Sequence, residues 1–279
     1  MKFLLCLLLA FSSSLFAADT IRLIVPNSAG GALDAIARVI QHRWDSPMVV
    51  DNRGGAAGKI ALDILHKSGD KTIAIISATI TINTPAARFK EFKPVTMVGS
   101  RPFVLITHPS LSSMRDKNLR YSTTGVNSLQ HIMLNRLSMT QKLDMEHIPY
   151  NGGAQMLAAI VNGDAHIAVS SVTPIVTSLA AENKIKILAI ADNTRSPNLK
   201  NVPTTKEINI DLIINVWLGI IAPPESTQSE ALNQKFKTVL SNPVLVKTLS
   251  AQDFKVEHST INDFKKFLDE ESQKYTRLQ

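Results

Sequence analysis

Along most of the chain, short runs of consecutive apolar and β-branched residues alternate with stretches whose apolar positions recur every three or four residues. The runs at 21–25, 48–50, 72–76, 103–107, 167–170, 187–191 and 217–222 read as strands. Their lack of polar alternation predicts burial on both faces, as in a parallel sheet covered by helices. The amphipathic stretches 33–44, 59–67, 129–139 and 155–161 read as the helices between them. The last third changes character: 229–275 reads as consecutive helices, with Pro243 placed to start one of them. The pattern predicts an α/β architecture of mostly parallel sheets flanked by helices, whose ligands sit beyond the carboxyl ends of the strands. No internal repeat, low-complexity tract or long linker interrupts it.

A neutral, glycine-rich loop recurs where an apolar strand gives way to a helix. The first runs Val25-Pro26-Asn27-Ser28-Ala29-Gly30-Gly31-Ala32-Leu33-Asp34, the second Tyr121-Ser122-Thr123-Thr124-Gly125-Val126-Asn127-Ser128, and the third Pro149-Tyr150-Asn151-Gly152-Gly153-Ala154. A helix N-terminus carries unpaired N–H groups and about half a positive charge, so it holds a small anion well. None of the loops contains Lys or Arg. Facing one cleft, they would bind an anion with amides, hydroxyls and carboxamides, which points to a carboxylate binder rather than an enzyme. Asp34, in the first turn of its helix, either stabilises the helix dipole or orders the Gly30-Gly31 loop beside a ligand. Ser77 and Thr79, read as the end of the third strand, reach the same edge, whereas Thr81 and Asn83 read as turn residues. His131, one turn into the helix after the second loop, is either a ligand contact or a partly buried surface group.

Composition narrows the setting. Lys2, the apolar run 3–11 and the small pair Ala17-Ala18 form a secretory signal. That run is shorter than the roughly 20 residues a membrane helix needs. The sole cysteine, Cys6, lies inside it, so the mature protein is expected to have neither disulfides nor thiolate chemistry. The formal charge of +7 falls by one when Lys2 leaves with the signal. Its Lys and Arg are scattered and aromatics make up only 5 % of the chain, which argues against a nucleic-acid partner. A modest role in steering anions fits better.

Other chemistries lack their spacing. In Gly54-Gly55-Ala56-Ala57-Gly58-Lys59 the first glycine of a phosphate-binding loop falls on Arg53, and Ile60 stands where Ser or Thr would hold magnesium. No histidine pair has metal-ligand spacing, and no Gly-x-Ser-x-Gly elbow is present. Neither a catalytic group, a metal nor a cofactor is expected.

In their order these segments resemble the extracytoplasmic solute-binding receptors of tripartite tricarboxylate transporters, the Bug family. The resemblance begins with Ile21-Arg22-Leu23-Ile24-Val25-Pro26, Gly30-Gly31 and Asp34, and continues through Val49-Val50-Asp51-Asn52-Arg53-Gly54 and Gly58. Asn83 and Pro94-Val95 follow in place. Next come Tyr121-Ser122, Gly125, Asn127, Ser128 and His131, then His147-Ile148-Pro149-Tyr150-Asn151-Gly152-Gly153-Ala154. Arg195-Ser196-Pro197, Val202-Pro203-Thr204 and Trp217-Leu218-Gly219 complete it.

The resemblance implies a two-lobed clamp of the type II periplasmic-binding-protein kind, with two crossovers near 104–107 and 217–220. Residues 1–17 would be the signal, cleaved near Ala17; residues 18–104 and 219–279 would form one lobe, 105–218 the other. It further implies that the first two loops grip one carboxylate of the ligand, partly through water, while the third completes the site. The expected ligand-binding set is Asn27, Ser28, Ala29, Gly30, Gly31, Asp34, Ser77, Thr79, Thr124, Gly125, Asn127, Ser128, His131, Tyr150, Asn151, Gly152, Ser170 and Ser171. Asn27 stands where the family usually has Phe, Val126 replaces a glycine, and Asn151 replaces a common Lys. A second carboxylate would need a cation, which Arg53 or Arg101 supplies only if the fold brings it to the cleft. The implied partners are a small carboxylate and the membrane permease subunits of the transporter, or a sensor kinase that reads the same cleft. The alternative is an exported hydrolase or transferase on a two-lobed scaffold, whose turnover would depend on Ser77, Ser128 or His131.

Overall fold

β1 (Ile21–Val25) forms where the first apolar run predicts it, and Leu23, Ile24 and Val25 are fully buried. In the computed structural model, which describes residues 20–276, β1 lies parallel between β2 (Met48–Asn52) and β3 (Thr72–Ser77). The expected signal, residues 1–17, lies outside the described residues. β3 runs antiparallel to β9 (Asn215–Ala222), and β9 to the first part of β4 (Lys93–Thr107). The two-residue β10 (Lys255–Val256) closes this sheet on β4.

A second sheet repeats the plan. β5 (Leu119–Thr123) lies parallel between β6 (Met145–Pro149) and β7 (Ile167–Ser171), and β7 runs antiparallel to the last part of β4. The other edge of that part takes β8 (Lys186–Ile190). Among the named strands, parallel pairing is thus confined to β2-β1-β3 and β6-β5-β7, and every strand that joins the sheets pairs antiparallel. β4 belongs to both sheets: Pro102 is still opposite Asn215 of β9, whereas Phe103 is opposite Ser171 of β7. Irregular register at Pro94/Thr96 and Met97/Gly99 bends the strand on the way. The returning chain is tied in at the same level, where the Phe103 amide donates to the Ile214 carbonyl (3.0 Å) and the Ile214 amide to that of Ala191 (2.8 Å).

The helices are α1 (Ala32–Gln41), α2 (Lys59–His66), α3 (Ala78–Asn83), α4 (Ala86–Phe89), α5 (Leu129–Gln141), α6 (Gly153–Asn162) and α7 (Pro174–Ala181). α8 (Ser229–Leu240), α9 (Pro243–Ser250) and α10 (Ile261–Thr276) form the C-terminal run, with β10 between the last two. One face of the first sheet packs Ile36, Ile40, Phe236, Leu245 and Leu249 from α1, α8 and α9. One face of the second packs Met156, Ile160 and Val176 from α6 and α7. The third core crosses from sheet to sheet, joining Leu62, Ile76 and Ile80 to Phe103, Leu129, Leu134 and Phe264. α10 closes it: buried Trp217 of β9 donates through Nε1 to Glu271 (2.8 Å) and meets Phe267 edge-on. Gly219 makes this approach possible, since a Cβ there would stand 2.1 Å from the Phe264 ring.

Two expectations change. Thr79, Thr81 and Asn83 lie on α3, not at a strand end or in a turn. Ala78-Thr79-Ile80-Thr81-Ile82-Asn83 favours extended structure by propensity, yet packing of α3 against α5 and α10 overrides it. The first ten residues of β4 form a strand that the apolar pattern did not single out, whereas β5 and β6 are the strands expected ahead of the second and third loops. Among the described residues no helix is long and apolar enough to cross a membrane.

Candidate functional site

The three glycine loops follow β1, β5 and β6 and lead into α1, α5 and α6, so each lies at a carboxyl edge. In the first loop Asn27, Ser28, Ala29 and Gly30 are exposed. Gly30 has φ +80°, a region that side-chain-bearing residues rarely adopt. Asp34 is the loop's anchor. It is 3 % exposed, accepts the Gly30 amide at 2.9 Å and pairs with Arg38 Nε at 2.9 Å. Burial pushes its carboxyl up, but Arg38, the Gly30 amide and the Asn52 side chain outweigh that and hold it below the usual range. Gly31, the N-cap of α1, offers no side-chain cap, so the first-turn amides of Ala32 and Leu33 have no internal acceptor. Asn52, the last residue of β2, donates through Nδ2 to the Asn27 carbonyl at 3.1 Å, and Gly54 lies close against the backbone of Asn27 and Ser28.

At the next carboxyl edge, Ser77 caps α3 without a side-chain hydrogen bond and is buried; Thr79, the second residue of the helix, is half-buried. Asn83, at the far end of α3, donates to the carbonyl of Asn127 in the second loop at 3.0 Å. This contact ties an element of the first sheet to a loop of the second.

The second loop is internally wired. Gly125 has φ +124° and its amide donates to Thr123 Oγ1 at 3.2 Å. Thr123 Oγ1 also shares a 2.7 Å hydrogen bond with His147 Nε2. The Asn127 amide donates to His131 Nδ1 at 3.1 Å, while Ser128 caps α5 by accepting the His131 amide. Ser128 is therefore engaged as a cap, and Thr124 Oγ1 donates to Gln130 Oε1 at 3.1 Å. His131 stacks on His147, with centroids 4.0 Å apart, and His147 stacks in turn on Tyr121 at 5.0 Å. Burial pushes His131 down; burial and then the neighbouring His131 push His147 down to about 4. The stack is uncharged at neutral pH, leaving neutral donors around the loop.

The third loop is held to the second by the Tyr150 amide, which donates to the Thr123 carbonyl at 3.0 Å. Tyr150 is half-buried and Asn151 exposed. Gly152, at φ +145°, caps α6 without a side-chain bond. Ser170 and Ser171 end β7, beside β5, with Ser170 Oγ donating to the Ser171 carbonyl at 3.3 Å. The expected residues thus form two groups. Loop one, Ser77 and Thr79 lie at the edge of the first sheet; loops two and three, Ser170 and Ser171 lie at the edge of the second. Arg53, one of the two candidate cations, is exposed and pairs with Asp51 at 2.8 Å. Arg101, the other, is buried at 3 % exposure. No cluster of three or more His, Cys, Asp or Glu suited to a metal occurs among the described residues.

Sequence reasoning passed over Thr123, His147 and the contact made by Asn83. The Thr123–His147 and Asn83–Asn127 bonds join segments distant in sequence, and the only local sign was that His147 lies just ahead of the third loop.

Proteins of this architecture are known. The chain is 26 % identical to a solved periplasmic transporter, with a TM-score of 0.81 over 92 % of this chain and 94 % of that one. MatC from Rhodopseudomonas palustris, solved with bound malate, superposes with a TM-score of 0.80 at 22 % identity, covering 93 % of this chain and 98 % of that one. An adipate-bound protein of R. palustris gives 0.83 at 22 % identity, with 93 % and 95 % covered. In sequence, BugT of Bordetella pertussis is 24 % identical over 95 % of this chain and 89 % of its own. A protein from the tcbD-tcbE intergenic region of a Pseudomonas species is 28 % identical over 84 % and 77 %. The fold is that of a two-lobed periplasmic solute-binding protein. The family model for tripartite tricarboxylate transporter receptors matches residues 34–279, from the anchor of the first loop to the C-terminus, and the chain belongs to that family of solute-binding receptors.

Proposed function

We propose that this receptor captures a small carboxylate between the carboxyl edges of its two sheets and passes it, chemically unchanged, to the permease of a tripartite tricarboxylate transporter. One observation carries the reading. Gly31 and Gly152 leave the N-termini of α1 and α6 without a side-chain cap, in loops free of Lys and Arg. Amides so placed hold a carboxylate through charge-assisted hydrogen bonds, which strengthen when closure excludes water. The malate and adipate held by relatives of the same fold belong to this ligand class. The lobes are read as 20–102 with 215–276, and 103–214, because strand partners change at those points. Export with cleavage near Ala17 places the mature protein in the periplasm, as for other members of the family.

The test is a thermal-shift screen of mature protein, unfolded and refolded to strip endogenous ligand, against a panel of small acids. A bound ligand raises the melting temperature with the logarithm of its concentration over Kd. Stabilisation by one class of carboxylate supports the reading. A folded protein that none of the acids stabilises rules it out.

A further inference from the structure

Asn-Gly occurs twice in the chain, at 151–152 and at 162–163, one pair at each end of α6. Asparagine is a chemically labile residue, most of all ahead of glycine, where no side chain hinders the next backbone nitrogen from reaching the carboxamide. That reaction needs an amide without a partner and a backbone with room to bring the two groups together. The fold treats the two pairs differently on both counts.

At 162–163 it withholds them. Asn162 is the last residue of α6, and a helical side chain leans towards the N-terminus, away from the nitrogen that follows it. The Gly163 amide donates to the Ile160 carbonyl at 3.2 Å, and its own carbonyl accepts Arg120 Nη2 at 3.0 Å. At 151–152 neither restraint is present. Asn151 is exposed, and its backbone amide is tethered to Gln155 Oε1 at 3.1 Å. Among the described residues, neither the Asn151 carboxamide nor the Gly152 amide has a hydrogen-bond partner. Gly152 lies outside the helix at φ +145° and ψ 171°, and a Cβ built on it would meet nothing within 4 Å.

We propose that Asn151 is a deamidation site, and that the carboxylate formed there takes the place of the ligand's carboxylate at the N-terminus of α6 and silences the receptor. The Gly152 nitrogen attacks Cγ of Asn151 and loses its proton as the N–Cγ bond forms; the Cγ–Nδ2 bond breaks and ammonia leaves. Water then opens the cyclic imide at either carbonyl, giving aspartate or, with one more methylene in the main chain, isoaspartate. The new charge lies beside the first-turn amides of Gly153 and Ala154, where a carboxylate is stabilised by the helix. The helix is thus strengthened while an incoming anion meets a like charge. The silencing rests on the reading of the glycine loops as the carboxylate site; the chemistry at Asn151 does not.

The test ages refolded mature protein for several days in warm, neutral buffer. Peptide mass spectrometry reads the conversion of amide to acid at each pair, and titration calorimetry with malate, succinate and adipate reads binding. The expected result is that most of Asn151 is converted while Asn162 stays an amide, and that the binding-competent fraction falls in step. Asn151→Asp should bind about tenfold or more weakly than fresh wild type and melt no lower. Asn151→Gln, whose longer side chain closes the ring far more slowly, should keep its own starting affinity through the same incubation. Equal conversion of the two asparagines, or none at 151, overturns the modification site. Wild-type affinity in Asn151→Asp overturns the silencing, as does weaker binding with a lower melting temperature, which marks a damaged fold. Fresh wild type that binds none of these acids removes the silencing together with the loop reading, while the peptide masses still decide the site.

Discussion

At the scale of single residues, the first loop depends on a backbone approach and a buried carboxylate. Gly31 has φ −76° and ψ 172°, which any residue can adopt, but a Cβ there would stand 3.2 Å from the Ser28 carbonyl. Gly31→Val should therefore fold and lose ligand binding, because a branched side chain displaces the loop and covers the amides of α1. Circular dichroism and calorimetry on the same sample check both halves. Asp34→Asn removes a charged acceptor from Gly30 and Arg38, and should lower stability by about 1–3 kcal/mol in urea denaturation. Because folding lowers the Asp34 pKa, its contribution is present above the unfolded value near 3.8 and is lost as the pH falls through the folded one. His147 acts in the same direction but at higher pH. Its folded pKa is about 4 against 6.5 unfolded, so the unfolded chain takes up the proton first, and stability declines as the pH falls from 6.5 towards 4. Melting temperatures across that window should fall less steeply in His147→Gln than in wild type.

At the scale of elements, what the sequence revealed followed from burial. β1 and β3 are buried along most or all of their length and therefore read as unbroken apolar runs. β5 and β6 end in Ser-Thr and Ile-Pro beside the site, so their presence showed in the loops that follow them while their extents did not. The first part of β4 was masked by Pro94, Gly99 and Pro102, the first two of which sit at its irregular points. The glycine loops and Asp34 were legible because their chemistry is local. The His131–His147 stack, the burial of Arg101 and the reach of Asn83 to Asn127 arise only when distant segments meet. That last contact couples α3 to the second loop. Asn83→Ala should leave the fold intact and weaken ligand binding by about two- to tenfold, the effect of one lost hydrogen bond. Titration calorimetry measures it. Unchanged affinity would show that the contact plays no part in closing the site.

For the molecule as a whole, the scattered basic surface supplies a field rather than a contact. The chain carries a formal charge of +7, yet the expected anion loops contain no Lys or Arg. Long-range attraction then speeds the arrival of an anion without strengthening its final bonds. Stopped-flow binding should show association rates that fall with added salt and dissociation rates that hardly change. The fluorescence of Trp217, buried on β9 next to the change of sheets, offers the signal.

The position of β9 also bears on how the chain is made. Ala74, Ile75 and Ile76 of β3 find their second neighbour only in Gly219, Ile220 and Ile221, synthesised long after the second sheet is complete. Until then β3 presents an open, apolar edge, and the first lobe lacks the strand that joins it to β4. Such distant pairing slows folding, and an uncovered edge of this kind invites aggregation. If the chain is exported as proposed, a fold that cannot close early keeps it pliable for threading through a secretion channel, and a product ending ahead of residue 215 would keep that edge of β3 open.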